Sequence, residues 1–179
     1  MIKDNFDVVI IGAGIIGLAT ALKLLQKKPK IKLGIVEKDS IVGQQQSGHN
    51  SGVIHSGIYY KPGSFKANFC VAGRKSMTDY CLENEIPVWT CGKLIMATDE
   101  ASESRLDELE QRGKANNVEG LRLVGKDEIK EIEPHVNATK ALYAPKTGIV
   151  DYTKVSYSYY EKILSLSGNV FLSTKVIGF

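Results

Sequence analysis

The residues able to do chemistry gather in the first third of this chain. Gly12, Gly14 and Gly17 are spaced Gly-x-Gly-x-x-Gly, with Ala13, Ile15 and Ile16 between them, and Glu37 stands 20 residues past the third glycine. Glycines at a strand-to-helix turn let backbone approach a pyrophosphate, and the helix behind them offers free N–H groups to the anion. A carboxylate at that distance accepts hydrogen bonds from ribose hydroxyls, and its charge argues against a 2′-phosphate. Lys38 beside it joins the candidate cofactor-binding set. Farther on, Ser47, His49, Asn50 and Ser51 supply hydroxyl, imidazole and amide groups, and His55 is of a type suited to proton transfer near neutral pH.

These groups need elements to hold them. Residues 6–11 are an apolar, β-branched run that suits a fully buried parallel strand. Leu18, Ala21, Leu22 and Leu25 follow at helical spacing, and Lys27, Lys28 and Pro29 end that helix. Residues 31–36 form a second strand, which completes a β-α-β unit with the glycines at its first turn. An ordinary β-α turn that happens to contain glycines is the rival reading, and it gives no reason for the acid in register. Residues 44–60 show neither helical nor strand period and read mostly as extended loop and turn; a loop of that length is usually functional.

A helix is expected over residues 64–84, with Phe65, Phe69, Ala72 and Tyr80 on one side, then short strands at 87–90 and 93–97. Asp99 caps a charged helix to residue 116, read as a solvated face with a partner surface as the alternative. A strand at 121–124, a short helix at 126–133 and strands at 141–144 and 149–150 follow. Asp151 is the expected N-cap of a helix over 153–165, and residues 169–176 are expected as a closing strand. Elements of both kinds in alternation indicate an α/β protein with a mixed second region.

The glycine fingerprint does not separate NAD from FAD. A NAD domain continues promptly into another helix and strand; here a Gly/Ser/His-rich loop follows, which favours FAD. The run Ser47-Gly48-His49-Asn50-Ser51-Gly52-Val53-Ile54-His55-Ser56-Gly57-Ile58-Tyr59-Tyr60-Lys61-Pro62-Gly63-Ser64 resembles the flavin loop of L-2-hydroxyglutarate dehydrogenases and oxidases. These belong to the D-amino-acid-oxidase and glycerol-3-phosphate-dehydrogenase type of FAD enzyme. Cys91-Gly92-Lys93-Leu94-Ile95 and Thr147-Gly148-Ile149-Val150-Asp151-Tyr152 are similar to the same family, and Tyr152 narrows the match because the wider group often has proline there.

The resemblance implies a Rossmann-like FAD-binding domain, present in part and interleaved with the start of an α+β substrate domain. The FAD-binding region takes residues 1–84, the start of the substrate region 85–147, and 148–179 return to the FAD-binding domain. It implies oxidation of a 2-hydroxy acid, best matched by L-2-hydroxyglutarate, with glycerol 3-phosphate or an amino acid as alternatives on the same scaffold. His55 is then expected at the reactive face of the flavin as the base, the alternative being a hydrogen bond within a packed loop. His49 is expected as a cofactor contact; in the related sarcosine- and dimethylglycine-dehydrogenase type, a histidine in a comparable place bonds covalently to the flavin. Ser47, Asn50 and Ser51 are candidates for pyrophosphate or flavin contacts, or else for local loop hydrogen bonds. Val176 matches the strand whose backbone meets the adenine ring. Tyr59, Tyr60 and Lys93 are read first as packing residues, with a place facing substrate as the alternative. Oxygen or a membrane electron-transport chain is the implied electron acceptor.

Composition excludes other classes. The chain has 179 residues, 43% apolar and 24% charged, the balance of a globular protein rather than a disordered one. A net charge of +3 without Lys/Arg runs gives no nucleic-acid footprint. Three scattered histidines lack metal-ligand spacing, and Cys70, Cys81 and Cys91 read as packing residues in a reduced, cytoplasmic setting. Contact with a membrane surface is open, as is a mitochondrial location for a longer precursor bearing a transit peptide. Since family members are much longer, the chain is expected to be their front portion, inactive alone, with the dicarboxylate pocket finished elsewhere.

Overall fold

The computed structural model describes residues 5–178. The chain runs β1 (Val8–Ile11), α1 (Ile15–Lys27), β2 (Leu33–Val36), β3 (Val53–Ile54), α2 (Phe65–Glu83), β4 (Val88–Trp89) and β5 (Leu94–Ala97). It continues through α3 (Glu100–Ala115), β6 (Arg122–Gly125), α4 (Lys126–Ile132), β7 (Lys140–Tyr143), β8 (Gly148–Val150), α5 (Tyr152–Ser165) and β9 (Asn169–Phe171). Two units divide these elements: residues 1–52 with 151–179, and residues 53–150. Residues 53–84, expected with the FAD-binding region, thus pack within the second unit.

The first unit is the expected β-α-β arrangement with a third parallel strand, in the order β1-β2-β9. Val8 stands opposite Leu33 and Ile11 opposite Val36, while Gly34 and Val36 face Asn169 and Phe171. Helices α1 and α5 pack on each other and on one side of this sheet, burying Leu18, Ala21, Leu22, Leu25, Val155 and Ile163. β2 is buried at every position. β1 is not: Val9 and Ile11 are 52% and 55% exposed, because the two helices cover only one side of the sheet. The expectation of a fully buried first strand is therefore corrected to a half-buried one.

A second correction falls at the end of the chain. β9 stops at Phe171 rather than running to residue 176, because Ser173 adopts a left-handed conformation (φ 50°) and turns the chain over the end of β2. There the Ser173 and Thr174 amides donate to the Asp39 and Glu37 carbonyls at 2.9 and 2.7 Å, so they are lost to any strand ladder. Phe179 lies outside the described residues.

The second unit holds two antiparallel sheets, β3-β8-β4 and β5-β7-β6. Helix α3 packs across the latter, burying Leu106 against Ala97, Leu121 and Leu142, so the charged helix covers a core with one face and meets solvent with the other. Ile58 enters the same cluster from the loop after β3 and is 2% exposed. Helix α2 corrects the expected face. Phe65 and Phe69 stack on each other at 5.9 Å yet are 79% and 71% exposed, whereas Ala67 and Cys81 are the buried positions. The reason is close approach: a Cβ on Gly57 would come within 2.9 Å of Val71 and 3.9 Å of Cys70, so small residues of α2 lie against that turn.

Candidate functional site

In the first unit the glycine turn forms as its spacing requires. Gly12 holds φ +102°, open to glycine and disfavoured for other residues, and its amide donates to the Val36 carbonyl at 2.8 Å. A Cβ on Gly17 would stand 2.1 Å from the Gly12 carbonyl oxygen, which is why helix and turn close so tightly there. Gly14 is the N-cap of α1 but contributes no side-chain cap, and the first turn contains no acid. The first-turn amides of a helix have no acceptor inside it. Ser47 reaches across from the loop, and its Oγ accepts the Ile15 N–H at 2.9 Å. The Ile16 and Gly17 amides have no side-chain acceptor among the described residues.

The turn opens onto a groove of about 640 Å³ whose walls include Ile11, Gly14, Ile16, Ser47, Asn50 and Tyr152. Gly12, Ile15 and Gly17 line it as well, so six of the expected cofactor residues besides Ser47 and Asn50 cluster at this turn or groove once Ala13 is counted beneath it. Ala13 is fully buried, with its amide donating to Glu37 Oε2 at 2.7 Å. Glu37 Oε1 accepts the Asp39 amide at 2.9 Å, and the side chain is only 9% exposed. The carboxylate therefore ties the glycine turn to the end of β2, and each oxygen keeps a lone pair for a further donor. Lys38 points elsewhere, 3.8 Å from Asp39.

The loop supports itself. Asn50 donates to the Gln46 and Ser47 carbonyls and accepts the Gly52 amide, so its amide group is spent on the turn while it lines the groove. His49 is exposed, with Nδ1 3.1 Å from the Gln45 carbonyl, and Ser51 is exposed. Neither lines the groove. Val176 is half-buried in the irregular segment two residues past Thr174, whose amide binds the Glu37 carbonyl. Gly43 and Gly48 escape a residue-type reading but matter: a Cβ on Gly48 would meet the Gly43 carbonyl at 2.7 Å, and one on Gly43 would meet the fully buried Ser156 at 3.1 Å.

In the second unit, residues 55–60 make a fixed turn. Ile58 anchors it in the core. Asn116, the C-cap of α3, donates from Nδ2 to the Gly57 and Tyr60 carbonyls at 2.9 and 2.8 Å, and Arg112 donates to the Tyr59 carbonyl at 3.3 Å. Cys70 donates its thiol hydrogen to the His55 carbonyl at 3.2 Å; burial pushes this thiol's pKa up, which keeps the donor protonated. Asn116 was not foreseen, since its contacts lie 56 and 59 residues away. His55 itself is exposed at the edge of a small cleft it shares with Ser56, Tyr59, Tyr60, Lys93 and Thr147. An exposed imidazole on a turn pinned at four places can accept a proton from a bound molecule without moving the backbone.

Residues 7–179 match the protein-family model described as "FAD dependent oxidoreductase". The chain is 46% identical over 173 residues to L-2-hydroxyglutarate dehydrogenase of Indibacter alkaliphilus, covering 97% of this chain and 43% of that protein. It is 43% identical to the mitochondrial L-2-hydroxyglutarate dehydrogenase of Homo sapiens, covering 98% of this chain and 38% of that one. The chain thus spans about two fifths of the length of the curated relatives it matches. Among solved structures, the FAD-bound L-alpha-glycerophosphate oxidase of Mycoplasma pneumoniae superposes with a TM-score of 0.90 at 31% identity, over 98% of this chain and 47% of that one. Glycine oxidase of Geobacillus kaustophilus shares the fold at a TM-score of 0.84 and 22% identity, over 96% of this chain and 47% of that one. No helix among the described residues is long and apolar enough to cross a membrane.

Proposed function

The chain belongs to the FAD dependent oxidoreductase family, and on that premise we propose that it is the front portion of an enzyme oxidising L-2-hydroxyglutarate to 2-oxoglutarate. The observation that carries the cofactor half is the glycine turn, where the missing Cβ of Gly14 leaves room for a pyrophosphate and the α1 N-terminus, with no acid in its first turn, keeps amide donors beyond the Ile15 N–H that Ser47 takes. The substrate comes from relatives of that name, 43% to 46% identical along nearly the whole chain.

The residues present fit FAD. Gly14, Ile16 and Gly17 would offer their backbone amides to the pyrophosphate, while Gly12, Ala13 and Ile15 shape the turn with amides donated to the Val36 carbonyl, Glu37 Oε2 and Ser47 Oγ; the Ser47 hydroxyl hydrogen remains to donate because its oxygen already accepts from Ile15. Glu37 accepts from ribose hydroxyls with its spare lone pairs, with Lys38 beside it. Asn50 and His49 hold the loop through its own backbone, Ser51 would meet the cofactor's edge, and Val176 would meet the adenine side through backbone. When bound, FAD supplies the hydride acceptor that oxidation of a secondary alcohol requires. His55 takes the C2 hydroxyl proton on a ring nitrogen as the C2–H bond breaks with its electron pair leaving, so that the C–O bond becomes a carbonyl. The electrons pass on to oxygen or to a membrane electron-transport chain, with the enzyme cytoplasmic, at a membrane surface, or mitochondrial like the human relative.

The test uses the full-length protein under anaerobic conditions. Bleaching of the flavin absorbance by L-2-hydroxyglutarate, with slower or no bleaching by glycerol 3-phosphate and amino acids, is the expected result. The glycerophosphate oxidase superposition makes glycerol 3-phosphate the second reading, and preferential bleaching by it would replace the first. His55→Gln should keep FAD and lower kcat by about 10²- to 10⁴-fold. Unchanged turnover ends the base assignment.

A further inference from the structure

The cleft beside His55 contains a cation that no acid balances among the described residues. Lys93 Nζ donates to Tyr59 Oη at 2.9 Å and lies 4.8 Å from that ring's centroid. Lys114, Lys140 and Lys146 stand 2.8, 2.7 and 3.7 Å from carboxylates, whereas Lys93 has none among the described residues. An ammonium has three N–H donors, and the phenol oxygen takes one. The remaining two belong to a group held still from both ends. The Lys93 backbone exchanges two hydrogen bonds with Ala144, at 3.1 and 2.9 Å, and the neighbouring Gly92 amide donates to the Thr147 carbonyl at 2.9 Å. Gly92 holds φ +75°, with the Tyr143 ring where a Cβ would go. At the other end, Tyr59 sits on the turn pinned by Ile58, Asn116 and Arg112.

The cleft measures about 10 Å³, room for a single water-sized oxygen. Its other polar groups are the Ser56 and Thr147 hydroxyls, 5% and 4% exposed and 3.4 Å apart. A fixed ammonium, two buried hydroxyls and space for one oxygen are the recognition elements of a carboxylate. We propose that Lys93, oriented by Tyr59, binds a carboxylate of the substrate. This rests on the oxidation of a 2-hydroxy acid proposed above, and assigns to this chain one of the cations that a dicarboxylate requires. An arginine fork is not needed for it: a single oxygen in a small cleft suits the point charge of lysine.

The experiment is steady-state kinetics on the full-length holoenzyme with Lys93→Met, Lys93→Arg and Tyr59→Phe, each checked for FAD content. Lys93→Met should raise KM for L-2-hydroxyglutarate by about 10- to 100-fold, as for loss of a hydrogen bond to a charged group, with kcat close to wild type. The same variant should weaken competitive inhibition by glutarate, a dicarboxylate with no hydroxyl to oxidise, by a similar factor. Lys93→Arg should restore part of the affinity, and Tyr59→Phe should raise KM less than Lys93→Met. Unchanged KM and unchanged glutarate inhibition in Lys93→Met overturn the inference, as does a fall in kcat alone. If Lys93→Met fails to retain FAD, Tyr59→Phe decides: an unaltered KM for substrate and inhibition constant for glutarate count against the assignment. Failure of the functional reading looks different, because wild-type enzyme would then not oxidise L-2-hydroxyglutarate at all.

Discussion

Gly14 and Gly17 sit three residues apart, yet a methyl group means different things at each. At Gly17 it would stand 2.1 Å from the Gly12 carbonyl oxygen and 3.4 Å from Ile10, so the turn or the helix must shift. At Gly14 the backbone is ordinary (φ −71°) and the nearest atom is the Ser47 hydroxyl at 3.4 Å, so a methyl fits. Gly17→Ala is therefore expected to destabilise the full-length protein by about 1–3 kcal/mol, as overpacking does. Gly14→Ala should melt near the wild-type temperature and bind FAD more weakly, because only the approach of the pyrophosphate is obstructed. Thermal melts with FAD titration check both; a Gly17→Ala melt equal to wild type, or undiminished FAD affinity in Gly14→Ala, contradicts the division of roles. At this scale the sequence was most readable, since Gly12, Gly14, Gly17 and Glu37 carry their geometry in their spacing. Asn116 was not, because nothing local in the chain says that a helix-end amide will hold two carbonyls of the His55 turn.

Elements were readable where the signal is local. Asp99 caps α3 as its position ahead of the charged run implies, accepting the Ser102 amide at 2.7 Å while Ser102 returns its hydroxyl to the Asp99 amide. The Ser102 hydroxyl, and then its backbone N–H, hold the Asp99 carboxyl below its ordinary range. A depressed folded-state pKa means that this carboxylate contributes stability above its unfolded pKa and loses it as pH falls through the folded value. Asp99→Asn keeps a capping oxygen but cannot titrate. Its melting temperature should consequently lie somewhat below that of wild type near neutrality and fall less between pH 6 and pH 3, so that the two converge in acid. Parallel acid-side declines would remove Asp99 from the account. Helix α2 was harder. Its extent was clear, but Phe65 and Phe69 drew attention to the wrong side. The stripe that meets the turn is made of smaller residues, the buried Ala67 with the part-buried Cys70 and Val71 at i, i+3 and i+4, whose partner is Gly57 rather than another large side chain. Hydrophobic periodicity weights residue size, and a close helix-to-turn approach selects against it.

The whole molecule departs from expectation at its first strand. Parallel sheets are covered on both faces, which is why an unbroken run of Val and Ile reads as buried. Here β1 lies at the edge of the β1-β2-β9 sheet, with Val9 and Ile11 half-exposed and Ile16 80% exposed in the groove of the same unit. Such a face agrees with a chain spanning about two fifths of its curated relatives, because a residue's type is set by all its eventual neighbours while its exposure is set by those described. Ile11 and Ile16 line the same groove, and exposed apolar side chains that lie together mark an interaction face or an aggregation liability. The isolated 179-residue chain is therefore expected to enhance the fluorescence of a hydrophobic dye and to show concentration-dependent association in sedimentation velocity. The double substitution Val9→Thr and Ile11→Thr should reduce both signals, since it keeps the β-branched shape and removes apolar surface where it meets solvent. The full-length protein should show neither signal at equal concentration. A dye-silent, monomeric isolated chain would mean that the β1 face is covered in solution and that its apolar residues have no further partner to meet.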